Sequence, residues 1–330
     1  MRSIIEAPDL KGKRVLVRVD WSVPMREGSV RNDWQIQTSL PTIEYLQQAG
    51  AKVIVATHLE TEKDSIEPLL KYLPSGCEML PNLRENHGEK TNSKEFAKEL
   101  SKIADIFVNE AFPESHREYA SIVGVPKLLP SYAGLRLEKE VKELSKAFFP
   151  KHPFLFILAG AKFDTKLPLI QKFIGLADDI FIGGALAHNF FKEIGRNIGD
   201  SLVAPGNFGL GDLFNSGKIH LPEDTITKDD KILDAGPLTL EELQEQINKA
   251  NLILWNGPLG NYENGYKVAT LRLAKMIAES GKDSIVGGGD TLAAIDELNL
   301  LNKFSFVSTG GGAMITFLAT GTLPGIEALK

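Results

Sequence analysis

The chain has a single cysteine, Cys77, in 330 residues, so no intrachain disulfide can form and a reducing, cytoplasmic compartment is expected. No apolar run approaches the ~20 residues of a membrane span, and the opening MRSIIEAPDLKGKR lacks the apolar core of a signal peptide. Basic residues never form a block and the formal net charge is -6, which argues against a nucleic-acid partner. Low-complexity tracts and short repeats are absent too. Two nucleotide signatures are missing: no GxxxxGK[ST] occurs, and no GxGxxG follows a strand. Neither a Walker A loop nor a dinucleotide fold is supported.

What is present is an ordinary globular composition, 43% apolar and 24% charged, long enough for two domains with separate cores. Short β-branched segments alternate with helical ones, which predicts parallel sheets in an α/β fold. In the first half, strands are expected over 14–19, 52–56 and 106–108. Ser39 is placed to cap a helix that Gly50 stops, and Ser93 to start another. Polar residues gather just past the strand ends: Asp20, His58 and, after Ser115 and His116, Arg117. Ligands of parallel sheets bind beyond the carboxyl ends of the strands, although each of these residues taken singly reads at least as well as a loop residue or helix cap. An amphipathic helix over 138–149, closed by Pro150 and Pro153, marks the expected boundary between domains 1–149 and 150–330.

In the second half, strands are expected over 154–158, 180–182, 252–255, 285–286 and 304–307. Four of them run into glycine: Gly160, Gly183-Gly184, Gly287–Gly289 and Gly310–Gly312. A strand that turns through glycine into a helix leaves backbone N–H groups free at the helix start, where they favour an anion. Glycine also lets a phosphate approach the main chain with no Cβ in the way. Lys162 and Lys166 follow the first turn. A cation is disfavoured at a helix N-terminus, so an anionic ligand accounts for the pair better than solvent does. Asp290, inside another such turn, makes sense if a divalent cation sits between carboxylate and phosphate. One glycine turn is a weak signal; four, two of them triple, favour a nucleotide phosphate site over tight packing alone.

Nine segments in order make a specific set: RVLVRVD (14–20), LPTIEYL (40–46), NLR (82–84), VNEAF (108–112), HREYAS (116–121), GAK (160–162), WNGPLGNYE (255–263), VGGGDT (286–291) and STGGGA (308–313). With them the chain resembles the phosphoglycerate kinase family over essentially its whole length. The resemblance implies two doubly wound, Rossmann-like α/β domains facing a cleft and closing by hinge bending, with segment 319–330 packing back toward the first domain. It implies a monomer with small-molecule substrates only: ATP or ADP with Mg²⁺ on the second domain, 3-phosphoglycerate or a related acid on the first. Lys162, Lys166, Gly289 and Gly312 would serve the transferring phosphoryl group, and Asp290 would hold Mg²⁺. The nucleotide would also meet Gly160, Gly183, Gly184, Asn256, Pro258, Gly260, Glu263, Gly287, Gly288, Thr291, Gly310 and Gly311. Asp20, Ser22, Gln35, His58, Arg117 and His152 would face the acid.

The match departs from the family on the acid side. Gln35 and Thr61 stand where the family has arginines, Glu60 where it has a glycine, His152 at a third basic position and Ser22 at an asparagine. Missing length falls between His58 and Asn82 and between Ser201 and Asp234. An arginine at a transferring phosphoryl group can be worth ~10³–10⁵ in rate, and glutamine keeps hydrogen bonding without the charge. Arg31, Arg84 and Arg136 are candidates to compensate that the sequence does not place. The expected function is ATP-dependent phosphoryl transfer to the carboxylate of 3-phosphoglycerate. The alternatives are a catalytically impaired nucleotide-binding paralogue and a kinase for a different carboxylic acid.

Overall fold

The structure is a computed structural model and describes residues 1–26 and 28–330. The chain divides into two compact units, one of residues 1–142 with 320–330, the other of residues 143–319.

The first unit is built on five parallel strands: β1 (Arg14–Arg18), β2 (Lys52–Ala56), β3 (Glu78–Met79), β4 (Ile106–Asn109) and β5 (Ser131–Ala133), in the order β3-β2-β1-β4-β5. Strand β1 is central, with Val15 opposite Val53 on one side and Ile106 on the other. Val15, Leu16 and Val17 are all buried, as a strand covered on both faces requires. The chain leaves β1 toward β2 and β3, then returns to lay β4 and β5 on its other side. The direction of winding therefore reverses between β1 and β4, the place where open α/β sheets take ligands.

Helix α1 (Trp34–Gln48) starts five residues before Ser39, which does not cap it. Ser39 is buried inside the helix, where its Oγ donates to the Ile36 carbonyl and accepts from Trp21 Nε1 at 2.8 Å. The helix thus runs through Pro41, and the serine serves a tryptophan. Helix α2 (Lys94–Lys102) starts as its sequence indicates, with Ser93 Oγ accepting from the Phe96 N–H. Helix α3 (Leu135–Ser145) begins three residues earlier than its apolar pattern suggests, and a 3₁₀ turn (Lys146–Phe148) ends it. The cause is Glu110, fully buried, whose carboxyl accepts from the Arg136 N–H and from Thr42 Oγ1. That carboxyl closes the helix start, and burial pushes it up to about 8.

The second unit has six parallel strands: β6 (Phe154–Leu158), β7 (Asp179–Ile182), β8 (Ile219–His220), β9 (Leu252–Asn256), β10 (Asp283–Gly287) and β11 (Phe306–Val307), in the order β8-β7-β6-β9-β10-β11. Every residue of β6 is buried, and Phe154 and Phe156 pack their rings on Phe173. Winding reverses here between β6 and β9. Helices α4 (Phe163–Phe173), α5 (Ala185–Glu193), α6 (Pro237–Lys249), α7 (Val268–Glu279), α8 (Gly289–Glu297) and α9 (Gly312–Thr320) alternate with the strands. An antiparallel hairpin, Thr225–Lys228 with Lys231–Ala235, carries no signal that its sequence made legible.

The C-terminal turn, Pro324–Glu327, belongs to the first unit: the Gly325 N–H donates to the Ser115 carbonyl at 2.8 Å. A Cβ on Gly325 would stand 2.8 Å from Ile122 Cγ2 and 2.9 Å from Ser115 Cβ. Gly325→Val should therefore cost about 1–3 kcal/mol of stability by overpacking. Denaturant titration of the variant against the wild type measures it.

Candidate active site

In each unit all main-sheet strands point the same way, so the residues that follow them share one edge. On the second unit this edge carries, in spatial order, Gly183-Gly184 after β7, Gly160 after β6, Gly257 after β9, Gly288 after β10 and Gly310 after β11. The turns interlock. A Cβ on Gly184 would lie 2.6 Å from the Gly160 nitrogen, and one on Gly257 would lie 2.0 Å from the Ala159 carbonyl oxygen. Asn256, buried at the end of β9, donates from Nδ2 to the Gly287 carbonyl at 2.8 Å. Thr291 Oγ1 accepts from the Gly257 N–H at 2.9 Å.

Several glycines therefore have packing reasons of their own. A Cβ on Gly183 would meet Leu259 at 2.8 Å, on Gly260 the Asp234 carboxyl at 2.3 Å, and on Gly287 the Met314 sulfur at 2.4 Å. Gly289 and Gly311 differ: a Cβ on either would meet nothing within 4 Å. Gly289 opens helix α8, with Asp290 in the first turn, so amide N–H groups and one carboxylate share the helix start. Gly310 is buried and donates to Ser308 Oγ at 3.0 Å, and Gly312 opens α9.

Lys166 lies at the reversal between β6 and β9. It is only 8% exposed, and its Nζ donates to the Ala159 carbonyl. A Cβ on Gly160 or Gly257 would come within 3.1 or 3.0 Å of that Nζ, so a side chain in either turn would crowd the ammonium. Burial pulls the lysine down to about 8, with Lys162 acting in the same direction and Asp290 opposing. Lys162, exposed at the start of α4, and Asp290, half-buried on α8, are thereby brought to Lys166. Glu263 is exposed on a short turn (Tyr262–Asn264) past Pro258. Among the described residues no group of three or more His, Cys, Asp or Glu is placed to hold a metal ion, so Asp290 could contribute one carboxylate to a cation that brings its other ligands with it.

The corresponding edge of the first unit is polar and charged. Asp20 is buried, with its Oδ1 accepting from Ser22 Oγ at 2.6 Å, while Gln35 Nε2 donates to the Asp20 carbonyl at 3.1 Å. His58, 2% exposed, lies 3.0 Å through Nδ1 from Arg18 Nη2. An arginine can only donate, so Nδ1 accepts and the histidine proton sits on Nε2. Burial, then the Arg18 charge, pull this histidine down to about 3, so it is neutral at physiological pH. Arg18 itself is fully buried, held by Ser121 Oγ and lying 3.9 Å from Glu89.

Two residues of this edge escaped the sequence reading. Arg84, left unplaced there, donates to the carbonyls of Leu59 and Glu60 at 2.8 and 2.6 Å and bears electrostatically on His58 and Glu114. Glu114 stands 3.7 Å from His58 Nε2. The position of Glu114 just past β4 was the available signal. Arg117 is exposed and bears on Glu114 as well. Thr61 is exposed in a loop, its N–H donating to Asp64. His152 belongs to the second unit, precedes β6 at the end of that sheet away from the glycine turns, and lies 2.6 Å from Asp178. Asp178 also accepts from the Phe154 N–H, which fixes the pair at that end of the sheet.

Comparison with known proteins gives one family. The model described as "Phosphoglycerate kinase" matches residues 5–78 and 71–321. The phosphoglycerate kinase of Dictyoglomus turgidum is 37% identical over 382 alignment positions, covering 98% of this chain and 96% of the relative. That of Thermus thermophilus is 35% identical and covers 100% of both. These alignments are longer than the chain, which crosses them with gaps. Among solved structures, phosphoglycerate kinase from Coxiella burnetii superposes with a TM-score of 0.84 at 33% identity, covering 99% of this chain and 98% of that one. The enzyme from Pyrococcus horikoshii gives 0.84 at 29%, covering 100% and 98%.

Lys166 makes a pH prediction whose sign follows from its burial. Its value is 10.5 when unperturbed and about 8 in the fold. Between these two the unfolded chain holds more protons, so stability rises with pH across that window. The rise attributable to Lys166 is on the order of 3 kcal/mol. Urea titrations at both ends of the window should find it in the wild type and find it missing in Lys166→Met.

Proposed function

The chain belongs to the phosphoglycerate kinase family, and on that premise we propose that it moves a phosphoryl group between ATP and the carboxylate of 3-phosphoglycerate, a step of glycolysis and gluconeogenesis. The observation that carries this reading is Lys166, a buried ammonium beside two glycine turns that donates to one carbonyl. Phosphoryl transfer asks little covalent chemistry of the protein; it asks for positioning and for charge to meet the transferring group. A polyphosphate tail over this edge would give Lys166 and Lys162 the counter-charge that the fold leaves out.

The amides of Gly289, Gly311 and Gly312 would then receive phosphate oxygens, with the Gly310 N–H kept by Ser308 Oγ. Mg²⁺ would enter with the nucleotide, held by Asp290 and the phosphates, which suits a cation that needs few protein ligands. Its contribution would be neutralisation of phosphate charge. Asn256, Pro258 and Glu263 would line the remainder of the nucleotide site. On the first unit, Asp20, Ser22, Gln35, His58, Arg84 and Arg117 would hold the acid, with the neutral His58 donating from Nε2. The same reading makes the protein a cytoplasmic monomer with small-molecule substrates; among the described residues no helix is long and apolar enough to cross a membrane.

A coupled assay with ATP, Mg²⁺ and 3-phosphoglycerate tests the proposal, and absence of turnover above background would refute it. Lys166→Ala should abolish transfer while MgADP affinity, read by calorimetry, falls only in part. In the same assay Gln35→Arg should raise turnover by at least ~tenfold, because it adds a full positive charge beside Asp20. An unchanged rate would mean that the acid site depends on other cations.

A further inference from the structure

Glu114 is the residue of the first unit's polar edge to which the reaction described so far gives no task. It ends the 3₁₀ turn Phe112–Glu114 just past β4. Its Oε2 is buried with no hydrogen-bond partner. Its Oε1 stops 3.7 Å from His58 Nε2, beyond hydrogen-bonding reach. The Nε of Arg84 is likewise buried and unpartnered. Leaving a buried polar atom unsatisfied costs about 1–3 kcal/mol, so this cluster is built to be completed by something other than the chain.

The charges around Glu114 say what would complete it. Arg18 from β1, Arg84 from the turn Leu83–Glu85 and Arg117 from the loop of Glu114 itself all act on it, with Asp20 opposing and the neutral His58 facing it. Arg18 is already answered by the buried Glu89, but Arg84 and Arg117 add positive charge on the side Glu114 faces, and that charge draws an anion. An anion held there sets its own oxygens beside those of Glu114, and two such oxygens share a contact only with a proton between them.

We propose that Glu114 sets the acid specificity of this site by meeting the substrate as the neutral carboxylic acid, its hydroxyl donating to an anionic oxygen of the substrate, so that binding takes up one proton from solvent. The carboxylate gains that proton on binding and returns it to solvent on release; no other bond changes. Burial raises this carboxyl, as does Asp20, which agrees with the direction required. An acid that places no anionic oxygen at Glu114 leaves the buried carboxyl unpaired and is selected against. The inference rests on the reading that the first unit holds the acid substrate.

Titration calorimetry of 3-phosphoglycerate, run in buffers of different ionisation enthalpy and over a range of pH, measures the coupling directly. The wild type should take up about one proton per ligand, with Kd rising toward about tenfold per pH unit above the carboxyl's pKa. The substrate phosphate contributes with the opposite sign, since arginines favour its fully ionised form. Glu114→Gln should bind without that uptake, its pH profile keeping only the phosphate's contribution, because the amide donates at every pH. Glu114→Ala should lose the uptake too and bind more weakly than Glu114→Gln. Equal proton uptake in wild type and both variants would overturn the role of Glu114 and leave the acid site standing. Failure of the wild type to bind 3-phosphoglycerate at any pH would overturn the acid site and this inference together.

Discussion

An ammonium group kept from water is the constraint around which the second unit is arranged. Lys166 donates to the Ala159 carbonyl, and burial, with Lys162 acting in the same direction and Asp290 opposing, brings its pKa down to about 8. The space that holds it exists because Gly160 and Gly257 lack side chains. Gly184 in turn can have no Cβ because the Gly160 nitrogen is in the way, and Gly257 is tied to Thr291 through its N–H. The turns after three neighbouring strands thus pack backbone against backbone around one lysine. Such an arrangement is stabilised only when an anion arrives, which is how a binding site differs from a packed core.

The polar edge of the first unit follows a different principle. Its charges are buried in a network rather than isolated: Arg18 touches Ser121 and His58, and lies near Glu89. The network selects the histidine tautomer and keeps the ring uncharged, so His58 is a fixed donor and not a base. Among the described residues the edge leaves unpaired Glu114 Oε2, the Arg84 Nε and, beside them in the chain, His116 Nδ1.

Much of this was legible in the sequence, and the exceptions have physical causes. The apolar run FLFIL announced β6, and the glycines after β6, β7, β10 and β11 announced a shared edge. The functional weight of those glycines was harder to apportion, because a packing glycine and a phosphate-facing glycine look alike in one dimension; only Met314 against Gly287, or open space beside Gly289, separates them. Ser39 misled because a cap and a buried partner of Trp21 carry the same letter. The start of α3 was misplaced because its cap, Glu110, lies far away in the chain. Glu114 was missed, and Arg84 was named without a place, for the same reason: each acquires meaning only when β1, β2 and β4 are side by side.

The placement of residues 320–330 has a consequence for synthesis. A ribosome releases the amino-terminal portion of the first unit early, yet the turn that packs on Ser115 and Ile122 is made only after the whole second unit has emerged. Domains generally fold as they appear, the amino-terminal one first. In this chain that order is inverted for the finished state: the second unit can reach its native packing while the nascent first unit still lacks its closing piece, and translation of residues 320–330 completes the older half of the molecule.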